Sequence, residues 1–205
     1  MIKIFIFLIL ISTLFGFIIK TDFNDKNIVY KKYSSYEVWY NTTTKIPILV
    51  HYQLTKDQVK KINSVKRFSN FKEDINLQTT NPAIYKNSGH EKGHLFSAET
   101  ASYSEISENE CFYMSNVSPM TSLLNRGVWL KLENLERKLD ELDIYAGTIN
   151  VYIKNNLYIP EYFFKIINNK NEIYLFSQQP NSKNITAYKI NKEKLNEILK
   201  FKLIQ

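Results

Sequence analysis

A regular spacing of apolar residues near the middle of the chain constrains its fold most. Between Thr121 and about Leu142, large apolar residues recur at steps of three or four: Leu124, Val128, Leu132, Leu135, Leu139 and Leu142. This spacing places them on one side of an α-helix, because a helix completes a turn every 3.6 residues. The pattern therefore predicts one amphipathic helix over these residues.

Stretches typical of β-strands lie on both sides of the predicted helix. Residues 34–55 hold two apolar runs separated by the turn-forming residues 41–44, which predicts a hairpin. The stretches ECFYMSNVSP, TINVYIKNNLYIP and EYFFKIINNKNEIYLFSQQP predict further strands, and NKEKLNEILKFKLI predicts a C-terminal helix. Strands, a central helix and more strands indicate an α+β fold, and 205 residues suit a single domain.

The N-terminus has the order of an export signal. Lys3 is followed by the apolar run IFIFLILISTLFGFII, which no charge interrupts before Lys20. This order is typical of a secretory signal peptide, and the run is only slightly shorter than a membrane-spanning helix. We expect residues 1–20 to be a signal peptide or an anchor that engages the membrane or the export machinery, with a buried core helix as the alternative. Residues 21–32 are expected to be a linker before a domain at residues 33–205, and the protein to be secreted, periplasmic or membrane-anchored.

Charge and cysteine content narrow the function classes. The formal net charge of +7 favours an acidic partner, such as a nucleic-acid backbone or an anionic membrane. Lys and Arg are dense in residues 56–89, a predicted loop that also holds Phe68, Phe71 and Tyr85. This loop suits contact with a phosphate backbone, and a solvated basic loop is the alternative. The single cysteine, Cys111, excludes an intramolecular disulfide framework and a cysteine-rich zinc site.

Residues 90–94, HEKGH, match the His-Glu-x-x-His pattern of helical zinc proteases. In such a site both imidazoles lie one helical turn apart and bind one metal ion. A helix is disfavoured here because a glycine precedes each histidine, and each glycine costs a helix about 1 kcal/mol relative to alanine. The remaining histidine, His51, lies in a predicted strand, so Glu110 or Glu133 would have to supply the third ligand. A zinc protease is the alternative that any other interpretation has to exclude.

A different site is suggested when this block is considered together with the predicted helix. Asn125, Trp129 and Glu133 are spaced by four residues and therefore lie on one side of the helix, offset from its apolar stripe. Gly93-His94 suits a histidine at a strand edge, where the glycine allows close approach to a substrate. A polar pair on a helix face is suited to a metal ion.

Three stretches of the chain carry a resemblance to a known family: SGHEKGHLFSAE, FYMSNVSPMTSLLNRGVWLKLE and IPEYFFKII. They resemble the DNA/RNA non-specific endonucleases, the ββα-metal (His-Me finger) nucleases that include endonuclease G. In that family the first block centres on Asp-Arg-Gly-His, and the second joins Ser-Asn-x-x-Pro-Gln to Asn-x-x-x-Trp-x-x-Leu-Glu. The resemblance extends from about Tyr36 to about Gln179. It implies a central antiparallel sheet with flanking helices, and an endonuclease that hydrolyses both DNA and RNA.

The resemblance also implies roles for individual residues. His94 is expected to be the general base, since a neutral imidazole can accept a proton from water near physiological pH. Asn125 is expected to be the one direct protein ligand of a magnesium ion, with manganese as an alternative ion. Glu133 would hold water molecules of the ion, and Asn116 would help to order the centre. The expected product carries a 5′ phosphate.

Two basic residues complete the implied site, and several positions depart from the family pattern. Lys92 takes the family's arginine position and Arg67 matches an upstream arginine, so that either would offset charge on the phosphate. Lysine lacks the bidentate fork of arginine. Glu91 replaces an aspartate, and Met120 replaces a glutamine. These departures keep a non-catalytic nucleic-acid-binding relative as an alternative, and the sequence leaves open whether the chain forms a homodimer or is controlled by an inhibitor.

Overall fold

The computed structural model of the protein describes residues 16–19, 23, 25–199 and 203. The segment predicted as a signal peptide or anchor, residues 1–20, lies almost entirely outside these ranges, as does part of the predicted linker. Within the described ranges, no helix combines the length and the apolar character needed to cross a membrane.

The described chain alternates between strands and short helices. The strands are β1 (Ile28–Lys32), β2 (Glu37–Asn41), β3 (Ile46–Leu54), β4 (Glu91–His94), β5 (Val117–Met120), β6 (Leu142–Lys154), β7 (Leu157–Ile167), β8 (Glu172–Ser177) and β9 (Lys189–Ile190). The α-helices are α1 (Lys56–Lys60), α2 (Ala98–Ala101), α3 (Glu105–Cys111), α4 (Leu130–Glu136) and α5 (Lys192–Leu199). A π-helical turn, Leu124–Trp129, leads directly into α4, and together they are called the central helix below. The 3₁₀ turns are Ile75–Leu77, Pro82–Tyr85, Met114–Asn116, Asn168–Lys170 and Ile185–Tyr188.

Two antiparallel sheets organise these elements. The larger sheet has seven strands in the order β1-β2-β3-β6-β7-β8-β9. Its longest pairing joins β6 to β7, from Ile144 opposite Ile167 to Lys154 opposite Leu157. The smaller sheet is a two-stranded ribbon of β4 and β5, in which His94 lies opposite Val117. It is called the β4–β5 ribbon below.

The large sheet is apolar on both faces, and each face packs against a different layer. On one face, Val50 and Ile144 share a core cluster with Trp129 of the central helix. On the other face, Leu49 shares a cluster with Leu195 of α5. Val50 and Leu49 are sequence neighbours, and neighbouring side chains of a strand point to opposite faces of its sheet. The first face therefore supports the central helix.

The predicted α+β architecture is confirmed. The predicted hairpin is formed by β2 and β3, the later predicted strands by β6, β7 and β8, and the C-terminal helix by α5. At the hairpin turn, the side-chain oxygen of Asn41 accepts hydrogen bonds from the backbone N–H groups of Thr43 and Thr44, both at 3.0 Å. Asparagine favours this kind of local hydrogen bond, which is why the sequence marks the turn.

The predicted linker includes a strand. Ile28–Lys32 forms β1 and pairs with β2 along its whole length, with Tyr30 opposite Trp39. β1 lies at an edge of the sheet, where lysine and polar residues are favoured because they discourage pairing with another chain. This edge position explains why the composition of the segment resembled that of a linker.

The predicted central helix is too long at its C-terminal end. The helix ends at Glu136, and Leu142 is instead the first residue of β6. Leu142 continues the helical spacing, but it also alternates with Ile144 and Ala146, which are buried on the sheet. Pairing of β6 with both β3 and β7 favours the strand, because both strands supply hydrogen bonds along its edges.

Half of the predicted strand ECFYMSNVSP is helical, and its last three residues, 117–119, lie in β5. Its first residues end α3, and Met114–Asn116 forms a 3₁₀ turn before β5 begins. Ser104 caps α3 by accepting a hydrogen bond from the backbone N–H of Ser107 at 3.2 Å, and acidic residues occupy the first turn. Both features favour a helix start. Pro119 lies inside β5, which the two-stranded ribbon tolerates because β4 is its one paired strand there.

Candidate active site

Residues 90–94 form extended chain leading into and along a strand, and not a helix. His94 ends β4 and lies opposite Val117 of β5. Because a strand rises about 3.3 Å per residue, roughly 13 Å of chain separates the two histidines, too far to share one ion. His90 instead contacts its own turn, with Nδ1 lying 3.1 Å from the carbonyl oxygen of Ser88. Among the residues that the structure describes, no group of three or more His, Cys, Asp or Glu side chains could hold a metal. The zinc-protease alternative is therefore wrong.

The residues considered as a third zinc ligand have other partners. Glu110 accepts hydrogen bonds at 2.6 Å from the hydroxyl groups of Ser34 and Ser35. His51 lies in β3, and its Nε2 is 3.0 Å from Oδ1 of Asp143 in β6. Both residues therefore link elements of the large sheet and its surroundings.

Gly93 brings the two strands of the ribbon into close contact at Met120. A Cβ atom at position 93 would lie 2.4 Å from Sδ of Met120 and 2.5 Å from its Cγ. Met120 is fully buried and belongs to the main core cluster. The position before His94 therefore needs glycine for steric reasons, and Met120 packs the ribbon onto the core.

The substitution Gly93→Ala is expected to lower the free energy of unfolding by about 1–3 kcal/mol, since a buried side chain would have to move to admit the methyl group. Urea unfolding of the variant and the unmodified protein measures this loss. The matched control repeats the substitution in a Met120→Ala background, which removes the overlapping Cγ and Sδ atoms. An equal loss in both backgrounds would contradict the contact as its cause.

His94 is enclosed by aromatic side chains. It is 8% exposed, and the ring centroids of Phe71 and Phe112 each lie 5.0 Å from that of the imidazole. Its carbonyl oxygen accepts a hydrogen bond from the indole Nε1–H of Trp129 at 3.1 Å, which ties the ribbon to the central helix. Its Nε2 is buried and has no hydrogen-bond partner in the described chain. An orphaned buried nitrogen of this kind points to a bound water or substrate.

Burial lowers the pKa of His94 to about 3, and the positive charge of Arg67 acts in the same direction. Burial lowers the pKa of an imidazole because it disfavours the charged form. The imidazole is therefore neutral at physiological pH.

This shift makes stability depend on pH. The unfolded chain protonates His94 below its ordinary pKa of 6.5, whereas the folded chain does so only near pH 3. The stability contributed by the neutral imidazole is thus present above pH 6.5 and is lost as the pH falls towards 3. Between pH 7 and pH 5, the protein is expected to lose up to about 2 kcal/mol relative to His94→Phe in urea unfolding. A difference that does not vary with pH would contradict the shift, since the other titrating groups are common to both proteins.

Asn116 is fully buried and holds the chain that follows His94. Its Nδ2 donates to the carbonyl oxygens of Phe96 and Cys111, both at 2.8 Å, and its Oδ1 accepts from the backbone N–H of Phe96 at 2.9 Å. Its own carbonyl oxygen accepts from the N–H of Leu95 at 3.0 Å. All of these side-chain hydrogen bonds go to backbone groups, so Asn116 fixes the backbone that follows His94.

Asn125 lies in the π-helical turn, and its amide is oriented by Glu91. Its Nδ2 donates to Oε2 of Glu91 at 2.8 Å, while Nη2 of Arg126 lies 2.7 Å from the other carboxylate oxygen. A carboxylate only accepts hydrogen bonds, so the amide presents its NH₂ group to Glu91. The carbonyl oxygen Oδ1 is therefore the atom that Asn125 offers to a ligand. Close by, the backbone departs from helical geometry at Gly127, with φ −97° and ψ −113°.

Glu133 lies one helical turn after Trp129 and is 7% exposed. Burial raises the pKa of its carboxyl group to about 7. Lys165 opposes this rise, Glu136 adds to it, and Arg137 opposes it. The ionisation of Glu133 thus depends on three charged side chains around it.

Two cations border the aromatic side of the site. The Nζ atom of Lys92 lies 5.1 Å from the ring centroid of Phe71 and 5.8 Å from that of Tyr85. The Cζ atom of Arg67 lies 5.8 Å from the ring centroid of Phe112, and Arg67 is exposed. The same two phenylalanines flank the imidazole. Aromatic contacts therefore place both cations beside the catalytic candidate.

A comparison of the sequence with family models decides the classification. The model described as DNA/RNA non-specific endonuclease matches residues 16–203. The chain belongs to the DNA/RNA non-specific endonuclease family. The resemblance inferred from the three sequence stretches is confirmed by this match.

Curated members of this endonuclease family are longer than the matched part of the chain. Human mitochondrial endonuclease G is 26% identical over 159 residues, which cover 67% of this chain and 53% of that protein. Nuclease C1 of Cunninghamella echinulata var. echinulata is 29% identical over 157 residues, 65% of this chain and 62% of that protein. The nuclease of Serratia marcescens is 37% identical over 113 residues, 51% of this chain and 40% of that protein. The chain thus spans roughly half the length of these relatives.

A solved structure has the same endonuclease fold. The structure of the EndoG/EndoGI complex, which concerns the inhibition of EndoG, matches 86% of this chain and 84% of the other with a TM-score of 0.74. The sequences are 22% identical, so the match establishes the fold. The predicted ββα-metal architecture is confirmed, and in this chain the strands of the β4–β5 ribbon are followed by the central helix.

Nucleases of this family are metal-dependent, and the residues present fit a divalent ion. Hard cations such as Mg²⁺ take oxygen ligands and retain water. The Oδ1 atom of Asn125 is an oxygen whose direction is fixed by the hydrogen bond to Glu91. The buried Nε2 of His94 lacks a partner and suits a molecule bound near such an ion.

Several side chains at the site were not predicted from the sequence. The sequence places Phe71 in a basic loop and Phe112 in a predicted strand, and neither position marks a contact with His94. Nothing in the sequence indicates that Lys165 and Glu136 are buried, because lysine in a strand and glutamate in a helix usually lie on the surface. Arg126 could have been found by its position next to Asn125.

Proposed function

We propose that this chain is a magnesium-dependent endonuclease that hydrolyses both DNA and RNA and leaves 5′ phosphates, with manganese as an alternative ion. The observation that carries the proposal is the neutral imidazole of His94, which lies between Phe71 and Phe112 with the cations Lys92 and Arg67 over the same two rings. Family membership supports the reaction class. The formal net charge of +7 supports a polyanionic substrate.

His94 would act as the general base. Its imidazole accepts a proton from a water molecule as the water oxygen attacks the phosphorus atom. The bond between phosphorus and the 3′ oxygen breaks, the phosphate stays on the 5′ side, and the 3′ oxygen takes up a proton from solvent. Phe71 and Phe112 exclude bulk water from the imidazole and limit its orientations. Asn116 holds the backbone behind it.

Asn125 would hold the ion through Oδ1, and Glu133 would orient water molecules around it. The ion would supply positive charge beside the phosphate and the leaving oxygen. Glu91 keeps the amide of Asn125 in the orientation that exposes Oδ1. The aspartate-to-glutamate departure at position 91 is thus compatible with an orienting role.

Lys92 and Arg67 would neutralise the phosphate oxygens. Both lie over aromatic rings next to the imidazole, so their positive charges are close to the place proposed for the phosphate. Lys92 acts as a point charge, without the two parallel hydrogen bonds that an arginine would give. A lower rate than that of an arginine-containing site is compatible with this proposal.

The test is cleavage by the protein lacking residues 1–20. Supercoiled plasmid and single-stranded RNA are incubated separately with the protein, in Mg²⁺, in Mn²⁺ and in EDTA. The proposal expects nicking of the plasmid and breakdown of the RNA with either ion, and neither in EDTA. Product ends that accept label from polynucleotide kinase only after phosphatase treatment would identify 5′ phosphates. Retarded migration of nucleic acid without cleavage under either ion would instead favour the non-catalytic relative.

We also propose that residues 1–20 direct export and leave the nuclease secreted, periplasmic or anchored outside the cytoplasmic membrane. The charged residue followed by an uninterrupted apolar run supports this location. Fractionation of cells that express the full chain, with determination of the N-terminus of the mature protein, distinguishes a cleaved signal from an anchor. Recovery of the intact chain in the cytoplasm would contradict export.

A further inference from the structure

A charged pair lies completely buried beneath the site. Nζ of Lys165 in β7 lies 2.9 Å from Oε1 of Glu136 in α4, and neither side chain is exposed. The other carboxylate oxygen of Glu136 accepts a hydrogen bond from the hydroxyl group of Tyr52 at 2.8 Å. The two paired atoms have no other hydrogen-bond partner in the described chain. The pair therefore joins strand β7 of the large sheet to the central helix.

This pair contacts the side chains that carry the site. Nζ of Lys165 lies 4.3 Å from the ring centroid of Trp129. The indole N–H of Trp129 in turn donates a hydrogen bond to the carbonyl oxygen of His94. Glu133 precedes Glu136 by three residues on α4, so their side chains are neighbours on the helix, and Lys165 and Glu136 are among the charges that act on the buried Glu133. The ammonium group of Lys165 therefore acts on both His94, through Trp129, and Glu133.

Stability alone does not explain such a pair. Removing two charges from water costs about as much as their attraction returns, and an apolar pair of similar volume often stabilises a core equally well. The large sheet offers apolar neighbours at this place, since Phe163 and Phe176 both contact Trp129 with centroid distances of 5.9 Å. A charged pair here therefore calls for a role that an apolar pair could not perform.

We propose that Lys165 and Glu136 are positioning residues for the nuclease site: the ammonium group holds the ring of Trp129, and the pair sets the electrostatic environment of Glu133. This inference rests on the proposed function and deepens it. Neither residue touches the substrate. Glu133 itself is not proposed as a ligand of the ion, so its ionisation can be followed in protein without metal.

The charges that face Glu133 determine the expected signs. Lys165 on β7 and Arg137, which follows the last residue of α4, favour the ionised carboxylate. Glu136 on α4 disfavours it, and Tyr52 on β3 is a buried neutral group nearby. Lys165→Met removes a favourable charge, so the pKa of Glu133 rises. Glu136→Gln removes an unfavourable charge, so the pKa falls. The double variant removes both and returns the pKa towards that of the unmodified protein.

The decisive measurement is a ¹³C NMR titration of glutamate side chains in the metal-free full chain. Glu133→Gln identifies the Glu133 signal, and Lys31→Met, which breaks a separate pair with Asp74, is the matched control. We expect shifts of about one pH unit in opposite directions for the two single variants, and no shift in the control. Shifts in the same direction, or none, would overturn the inference. A purely structural pair would lower stability in both single variants without moving this titration in opposite directions.

Cleavage of plasmid as a function of pH is the second readout. The acidic limb of the rate profile should move to higher pH in Lys165→Met and to lower pH in Glu136→Gln. The double variant should be more stable than either single variant, because it leaves no unpaired buried charge. If the unmodified protein cleaves nothing, the proposed function fails while the NMR titration still decides the positioning inference. If it cleaves and the titration does not move, the positioning inference alone fails.

Discussion

Replacing His94 with alanine is expected to lower the rate of phosphodiester cleavage by roughly 10²- to 10⁴-fold, which is the usual contribution of a general base. The variant loses the imidazole proposed to accept the proton, while Asn125 and the cations proposed to neutralise the phosphate remain. Binding of nucleic acid should therefore be retained when cleavage is lost. Initial rates of plasmid nicking and band-shift affinity, measured on the same preparations, separate the two effects.

His90→Ala is the matched control for this prediction. It is the other histidine of residues 90–94, and its ring contacts the carbonyl oxygen of Ser88 in its own turn. The rate should change less than about threefold, because surface substitutions away from special features usually cost little. A comparable loss in both variants would indicate a shared structural effect. Full activity in the His94 variant would remove the proposed mechanism.

The parts of the fold that the sequence predicted are those where local preference and tertiary packing agree. Strands β2 and β3 have apolar runs and a turn whose asparagine caps its own backbone, so neighbouring residues suffice to identify them. The end of the central helix depends on a choice that is not local. Leu142 fits either a helix face or a buried strand, and only the partners β3 and β7 decide in favour of the strand. The sequence does not predict the edge strand β1, because an edge strand pairs with one neighbour and tolerates polar residues, so it lacks the apolar pattern of a central strand.

The candidate site divides in the same way. His94 and Asn125 are marked by sequence blocks, since each has a fixed spacing to glycine, tryptophan or glutamate within its own element. Contacts between the blocks were not predictable. Glu91 reaches Asn125 across 34 positions of sequence, and the pair of Lys165 and Glu136 depends on the register of β7 in the sheet. Such contacts arise only when the sheet has placed the elements.

Replacing Asn125 with alanine is expected to lower the rate of cleavage at least about 10²-fold at low Mg²⁺, because it removes the one proposed protein ligand of the ion. The carboxylate of Glu91 would also lose the amide that donates to it at 2.8 Å. The loss should be smaller at high Mg²⁺, since phosphate oxygens and water can supply the other ligands. Rates measured over a Mg²⁺ titration therefore separate weakened ion binding from damage to the histidine.

Two further variants make this prediction sharper. Asn125→Asp keeps an oxygen ligand but cannot donate to Glu91, and its negative charge repels that carboxylate, so we expect activity between those of the alanine variant and the unmodified protein. Asn181→Ala changes an exposed asparagine outside the ribbon and the central helix and should leave the Mg²⁺ dependence unaltered. The amide matters as a ligand only if its loss raises the Mg²⁺ concentration needed for half-maximal rate. A loss in Asn125→Ala that is the same at every Mg²⁺ concentration would place the ion on other residues, because a missing ligand has to be compensated by more ion.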